Sequence, residues 1–374
     1  MTDNFDAADA TLMRSVIQRV ATGPELSKNI SRDEARAVMH ALLDGSADPV
    51  QAGVFLIGLR MKRETDEELK GVMDALNDRT TVVTSASDDV VAIADPYNGF
   101  NRTLPGSLFA LPVLAACGVS AYSHGVELGG PKFGVTHHTT LKALGGNALR
   151  GTEEVAQRIA DPTIGWGYID QRIMCPGLHD LNDLRARIVK RPVLSTTEVL
   201  VCPIKGHHRT HLVTGYVHKP YRDTYCMLAR HVNYDSLLLV RGTEGGIIPS
   251  FRSRAHFVRF TDSIEYDEFD LDLAAMDLQR DYRAADIADD FPLANPQTNP
   301  IGMKWDIHAL SELCAEEGLK ALSGQSGPLY DAAVMGAATI LWHTGKEPDL
   351  PAAADKARAA INSGEALKRL KAGL

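Results

Sequence analysis

The chain has 374 residues, 44% of them hydrophobic and 23% charged, with a formal net charge of -9 at pH 7. That length accommodates about two to three domains with a large core, and the acidic balance weighs against a general nucleic-acid binder. The longest apolar run, Leu108–Ala116, is too short to span a bilayer and is interrupted by Pro112.

The start, Met1–Asp6, is acidic and has neither the basic nor the apolar region of a secretory leader. Five scattered cysteines form no C-x-x-C pair. Reduced thiols and a cytoplasmic location are therefore expected rather than a disulfide framework. Residues 11–79 read as all-helical, with legible caps. Ser31-Arg32-Asp33-Glu34 and Thr65-Asp66-Glu67-Glu68 are capping boxes. Asp48-Pro49 supplies a cap followed by a proline at the first helical position. Gly45 ends the first of these helices, and Asp78–Thr81 ends the unit.

Beyond Val82 the periodicity changes. Val90–Ala94 is a continuous apolar, β-branched run, the pattern of a strand buried on both faces, and Asp95–Thr103 is the loop leaving it. Ser107–Ala116 reads as a helix, Val119–Tyr122 as a strand, Ser123–Gly134 as a glycine-punctuated loop and Thr136–Leu144 as a helix stopped by Gly145-Gly146. Ligands sit in such loops because backbone N–H groups converge there with a positive helix end. Further strands are expected at Thr163–Ile169, Glu198–Val201, His211–Val217 and Ser236–Arg241, with a hairpin strand at His256–Phe260. Helices are expected at Glu153–Ala160, Asp180–Val189, Trp305–Glu317, Leu329–Trp342 and Pro351–Leu370. The fold class is α/β: a small all-helical N-terminal domain, then a larger domain with a central, mostly parallel sheet flanked by helices.

Several local features have ordinary readings. His207 and His211 stand four apart, but on a loop entering a strand, so no metal site is expected there. His137-His138, near a helix start, reads either as polar surface or as packing on the side of a bound phosphate, and Cys175 has no adjacent base to activate it. The basic run Arg185–Arg191 is either a solvated face or an anion clamp.

Taken together, the ends and the middle resemble the anthranilate phosphoribosyltransferase family, which shares its fold with the pyrimidine nucleoside phosphorylases. At the N-terminus the resemblance is carried by Ser31–Ala35, Gln51–Leu56 and Leu59–Thr65. At the C-terminus it is carried by Gly324-Gln325-Ser326-Gly327-Pro328 with Asp331, Gly345-Lys346 and Ile361–Leu367. The resemblance implies a helical domain 1–80, joined by a returning segment 172–192, and an α/β domain made of 81–171 and 193–374. It also implies pairing of two copies through the helical domain.

The family's reaction signature is altered. Its Gly-Thr-Gly-Gly-Asp diphosphate loop is Asp95-Pro96-Tyr97-Asn98-Gly99 here, and Lys-His-Gly-Asn is Ser123-His124-Gly125-Val126. Thr103 and Ser107 match the family's Thr and Ser, while Pro105 replaces its Asn. Lys132 and Gly134 fit its Lys-x-Gly. The family's Asp-Glu metal pair has become Ile247-Ile248, which offers no oxygen to magnesium; Glu244 alone stands near where the family has an acid. The resemblance therefore implies donor-anion binding by Asn98, Gly99, Thr103, Ser107, His124, Gly125 and Lys132, and acceptor binding by Arg185 and Arg191. It names no catalytic residue and no certain cofactor, magnesium being left open.

Three functions follow as alternatives. The first is a divergent pentosyl or phosphoribosyl transferase, or ligand-binding homologue, with a rebuilt donor site for a phosphorylated or carboxylate small molecule. The second is a non-catalytic, nucleic-acid-binding or regulatory paralogue using Arg185 and Lys205–Arg209. The third, least favoured, is genuine anthranilate phosphoribosyl transfer.

Overall fold

The computed structural model describes residues 7–23, 25–262 and 265–374. The leader reading of Met1–Asp6 thus falls outside the described residues. Four helices come first: α1 (Ala7–Val20), α2 (Arg32–Leu43), α3 (Pro49–Lys62) and α4 (Asp66–Asp78). Their starts follow the caps. Ser31 Oγ accepts from the Glu34 N–H at 3.2 Å while Glu34 accepts from the Ser31 N–H at 2.9 Å. Thr65 and Glu68 repeat this at 3.4 and 2.8 Å, and Asp48 accepts from Val50 and Gln51. Glu68 is fully buried and also takes the Ile30 N–H and the Lys62 ammonium, so this box ties three segments together.

The α/β part follows in the order β1 (Asp89–Ala94), α5 (Ser107–Ala116), β2 (Ser120–Gly125), α6 (His137–Ala143), α7 (Thr152–Ala160), β3 (Trp166–Asp170), α8 (Asn182–Ile188), β4 (Arg209–Gly215), α9 (Tyr221–His231), β5 (Ser236–Val240), β6 (Ala255–Thr261) and β7 (Asp267–Leu271). Four helices end the chain: α10 (Ile307–Leu322), α11 (Pro328–His343), α12 (Leu350–Asn362) and α13 (Glu365–Gly373). The seven strands form one sheet in the order β3-β2-β1-β4-β5-β6-β7. The first five are parallel, and β6 and β7 are added antiparallel.

Both faces of β1 are covered. Val91 and Ile93 point into a core shared with α5 and the C-terminal helices; Val90, Ala92 and Ala94 point into a core shared with the helical unit. A strand buried on both sides has no polar face to alternate with, hence its unbroken apolar run. Register places Ile93 beside Ser123 and Ala94 beside Thr214, so β1, β2 and β4 end at the same level. The chain leaves β1 toward β2 on one side and later returns to β4 on the other. A crevice opens at such a switch point.

Helix α8 packs on α3: a Cβ built on Gly53 of α3 would lie 3.8 Å from Leu184 and Ile188 of α8. Two element expectations are corrected. Glu198–Leu200 is a 3-10 turn continuing the short helix Leu194–Thr197, not a strand. Val199, Leu200 and Val201 are apolar because they enter the helical-side core, and a short apolar run cannot distinguish these cases. The last expected helix is two, α12 and α13, parted where Gly364 takes a left-handed φ of +78°. No described helix is long and apolar enough to cross a membrane.

Candidate functional site

Three loops meet at the carboxyl ends of β1, β2, β4 and β5. Asp95–Thr103 leaves β1, the segment after Gly125 leaves β2, and Arg241–Ile248 follows β5. The left-handed turn at Gly99, φ +74°, lets the first loop lie against the second: a Cβ there would come within 2.4 Å of the Gly134 carbonyl oxygen.

The centre of the first loop is an anion nest that is already filled. The backbone N–H groups of Asn101, Arg102 and Thr103 donate to the Glu244 carboxylate, at 3.1–3.2, 2.7 and 3.0 Å, with Thr103 Oγ1 at 3.4 Å. Lys132 completes the shell with an ion pair to the other Glu244 oxygen. Burial works to raise the Glu244 carboxyl, but Lys132 and the amides of Asn101 and Arg102 outweigh it and hold it below its ordinary value. Burial lowers the Lys132 ammonium; Glu244 opposes that shift, and Arg191 and Arg102 add to it.

Beneath the nest lies a buried polar chain. Ser107 Oγ donates to Asp95, and His137 Nε2 stands 2.9 Å from Ser107 Oγ and 3.2 Å from the Asp95 carboxylate. Asp95 also accepts the Ile247 N–H at 3.1 Å, and His137 Nδ1 meets Ser123 Oγ at 3.0 Å. His124 Nδ1 bonds the Tyr97 hydroxyl. Burial, with His137 adding to it, pushes the His124 ring down to about 3, so it is a neutral partner and not an anion-binding cation. Asp95, His124, His137 and Tyr168 enclose a cavity of about 20 Å³, room for one water.

Above, at the switch point, a cleft of about 110 Å³ opens between the strand ends and the helical unit. Arg60 from α3, Arg191, Asn98, Thr214, Tyr221 and Tyr225 line it, and Glu244 stands at its floor. Arg60 lies over the Tyr221 ring at 5.1 Å, which fixes the guanidinium at the wall. Arg191 is exposed and, among the described residues, makes no ion pair.

The expected site residues are thus divided among three places. Thr103 and Lys132 meet on Glu244; Asn98 and Arg191 line the cleft; Ser107 and His124 belong to the buried polar network. Gly99 and Gly125 are close-packed backbone, Gly99 against Gly134 and Gly125 against the Tyr168 ring. Arg185 is a correction: it is wholly buried and clamps Glu198 through two bonds of 2.5 and 2.7 Å, so it does not face the cleft. Its family position carried the expectation, but here an internal carboxylate has taken the guanidinium. His137 is buried and links Ser107, Asp95 and Ser123. Sequence reading missed Arg60, Tyr221 and Asp95 because nothing local in helix or loop marks which side chains face a cleft formed by distant segments.

The residues do not fit a magnesium site. Ile247 and Ile248, where the acid pair would stand, are 2% and 8% exposed in the apolar core, and the Glu244 and Asp95 carboxylates are both engaged. Cys175 is buried, and burial raises its thiol, so it is no nucleophile. Of the two basic runs, Arg187 pairs with Asp183 at 3.1 Å and Arg209 with Asp262.

Residues 14–80 match the helical bundle domain of a glycosyl transferase family. An anthranilate phosphoribosyltransferase of Rhodopseudomonas palustris is 25% identical over 358 residues, 96% of each chain. An uncharacterized protein of Aquifex aeolicus is 30% identical over 223 residues, 59% of this chain and 65% of that one. Among solved structures, anthranilate phosphoribosyltransferase from Thermus thermophilus superposes with a TM-score of 0.70 at 21% identity, covering 96% of this chain and 97% of that one. The Saccharomyces cerevisiae enzyme in complex with phosphoribosyl pyrophosphate and magnesium gives 0.73 at 16%, covering 97% and 96%. The chain thus carries a helical bundle that matches a glycosyl transferase family, is similar over nearly its whole length to anthranilate phosphoribosyltransferases, and shares their fold.

Proposed function

We propose that this protein is a divergent transferase of the pentosyl type that holds a small carboxylate- or phosphate-bearing molecule between Arg60 and Arg191, without the family's magnesium-bound diphosphate. The observation that carries the reading is Arg191. It is a guanidinium with no ion pair among the described residues, across a cleft from Arg60, at the sheet's switch point. Guanidinium groups recognise carboxylates and phosphates bidentately, and Tyr221 and Tyr225 offer a ring-lined wall for the rest of such a ligand. Pentosyl transfer proceeds through an oxocarbenium-like state and needs positioning and charge stabilisation rather than a protein nucleophile. The rebuilt Asp95–Thr103 loop and the apolar Ile247-Ile248 pair count against ordinary phosphoribosyl pyrophosphate as donor.

Calorimetric titration tests this with anthranilate, inorganic phosphate and phosphoribosyl pyrophosphate, the last with and without magnesium. We expect one of the first two to bind, and R191A and R60A each to weaken it about tenfold to a hundredfold, the worth of a charge-assisted bond. Magnesium-dependent binding of phosphoribosyl pyrophosphate, or anion binding indifferent to R191A, would refute the reading.

A further inference from the structure

Glu244 lies 141 residues beyond Thr103, yet it fills the nest completely. Three consecutive N–H groups, one hydroxyl and one ammonium converge on its carboxylate. Successive backbone N–H groups arranged this way form an anion-binding concavity, and the geometry is indifferent to which oxyanion occupies it. Two further observations say that this carboxylate is a stand-in rather than a structural necessity.

The first is conformational. Glu244 holds a φ of +55°, a left-handed conformation that costs a non-glycine residue about 1–2 kcal/mol. It does so in a segment with glycine at 242, 245 and 246, which can take up a change of backbone path. The second is charge. Arg102 and Arg191 both act on the paired Lys132 ammonium, so further positive charge stands beside the ion pair. A phosphoryl group carries up to two charges and three acceptor oxygens, and it would match that field better than one carboxylate does.

We propose that Glu244 is a tethered occupant of a phosphoryl site: the amide nest at 101–103 with Lys132 is competent to bind phosphate or pyrophosphate, and the chain's own carboxylate keeps it closed. The segment 242–246 is then a latch. Because it borders the cleft, withdrawing Glu244 joins the nest to the Arg60–Arg191 site.

The test is calorimetric titration of the full chain with inorganic pyrophosphate at neutral pH, without magnesium. Wild type should bind it at least tenfold more weakly than E244A, and E244A/K132A should lose the gain. E244Q, which keeps the side chain's size and an acceptor oxygen but not the charge, should fall between. It also carries the comparison if E244A fails to fold. Equal affinity in wild type and a folded E244 variant would overturn the proposal, as would a gain that survives K132A. E244A/R60A should show the gain in full, so failure of the latch leaves the cleft reading untouched, and the reverse holds.

Discussion

Replacing Arg185 by alanine separates the two roles this residue has been given. In the structure it is wholly buried and bound to a Glu198 that is 1% exposed. Burial raises the Glu198 carboxyl even with the guanidinium beside it. Without Arg185 that carboxylate must either stay charged in an apolar setting or take up a proton. Starting from the ordinary value of 4.5, protonation at pH 7 costs about 3.4 kcal/mol, at about 1.36 kcal/mol per unit. That agrees with the about 3–5 kcal/mol lost when one partner of a buried ion pair is removed. At pH 5.5 the same route costs only about 1.4 kcal/mol, so the penalty should shrink with acidification. Urea denaturation of wild type and R185A at both pH values measures it. The double variant R185M/E198M should recover most of the loss, because apolar residues of similar volume replace buried pairs at little cost. If R185A keeps the wild-type midpoint but loses phosphate or anthranilate binding, Arg185 faces the ligand and the placement is wrong.

Two more predictions concern the rest of the molecule. Burial holds His124 and His343 at about 3, aided by His137 for the first and by His211 and Arg259 for the second. Both rings stay neutral in the folded chain while the unfolded chain protonates them below about 6.5. Stability should therefore fall as pH drops from about 6.5 toward 3, by about 1.4 kcal/mol per pH unit for each ring. Urea midpoints across pH 7 to 5 should show a shallower slope for H343Q, and an unchanged slope would sink the assignment. In α10, a methyl on Gly318 would come within 1.8 Å of Cζ of the fully buried Phe109 ring. Overpacking of about 1–3 kcal/mol should outweigh the roughly 1 kcal/mol of helix propensity that alanine gains. G318A should thus lower the denaturation midpoint, and a raised one would show that the ring can move aside.

The site was legible in part. Thr103 and Lys132 stand together on the chain's own Glu244 carboxylate, and Arg191 lines the cleft, because motif positions carried over from a resembling family mark backbone geometry rather than what is bound there. Arg185 failed for a different reason. Its motif position is kept, but the partner that captures it, Glu198, sits in a stretch read as a strand. Asp95, Ser107 and His137 come from three separate elements, and no spacing in the chain announces that they touch.

By itself the sequence determined the helix starts and the buried strands. Ser31, Asp48 and Thr65 cap within three residues of themselves, and β1 advertises its burial in its own composition. Those interactions are local, or averaged over a whole face, and so they leave a pattern in a short window. Only the tertiary structure decided which anion fills the nest at Asn101–Thr103 and which arginine reaches the cleft. Each of those outcomes is a competition among charges brought together from distant segments, and no linear pattern encodes which of them meet.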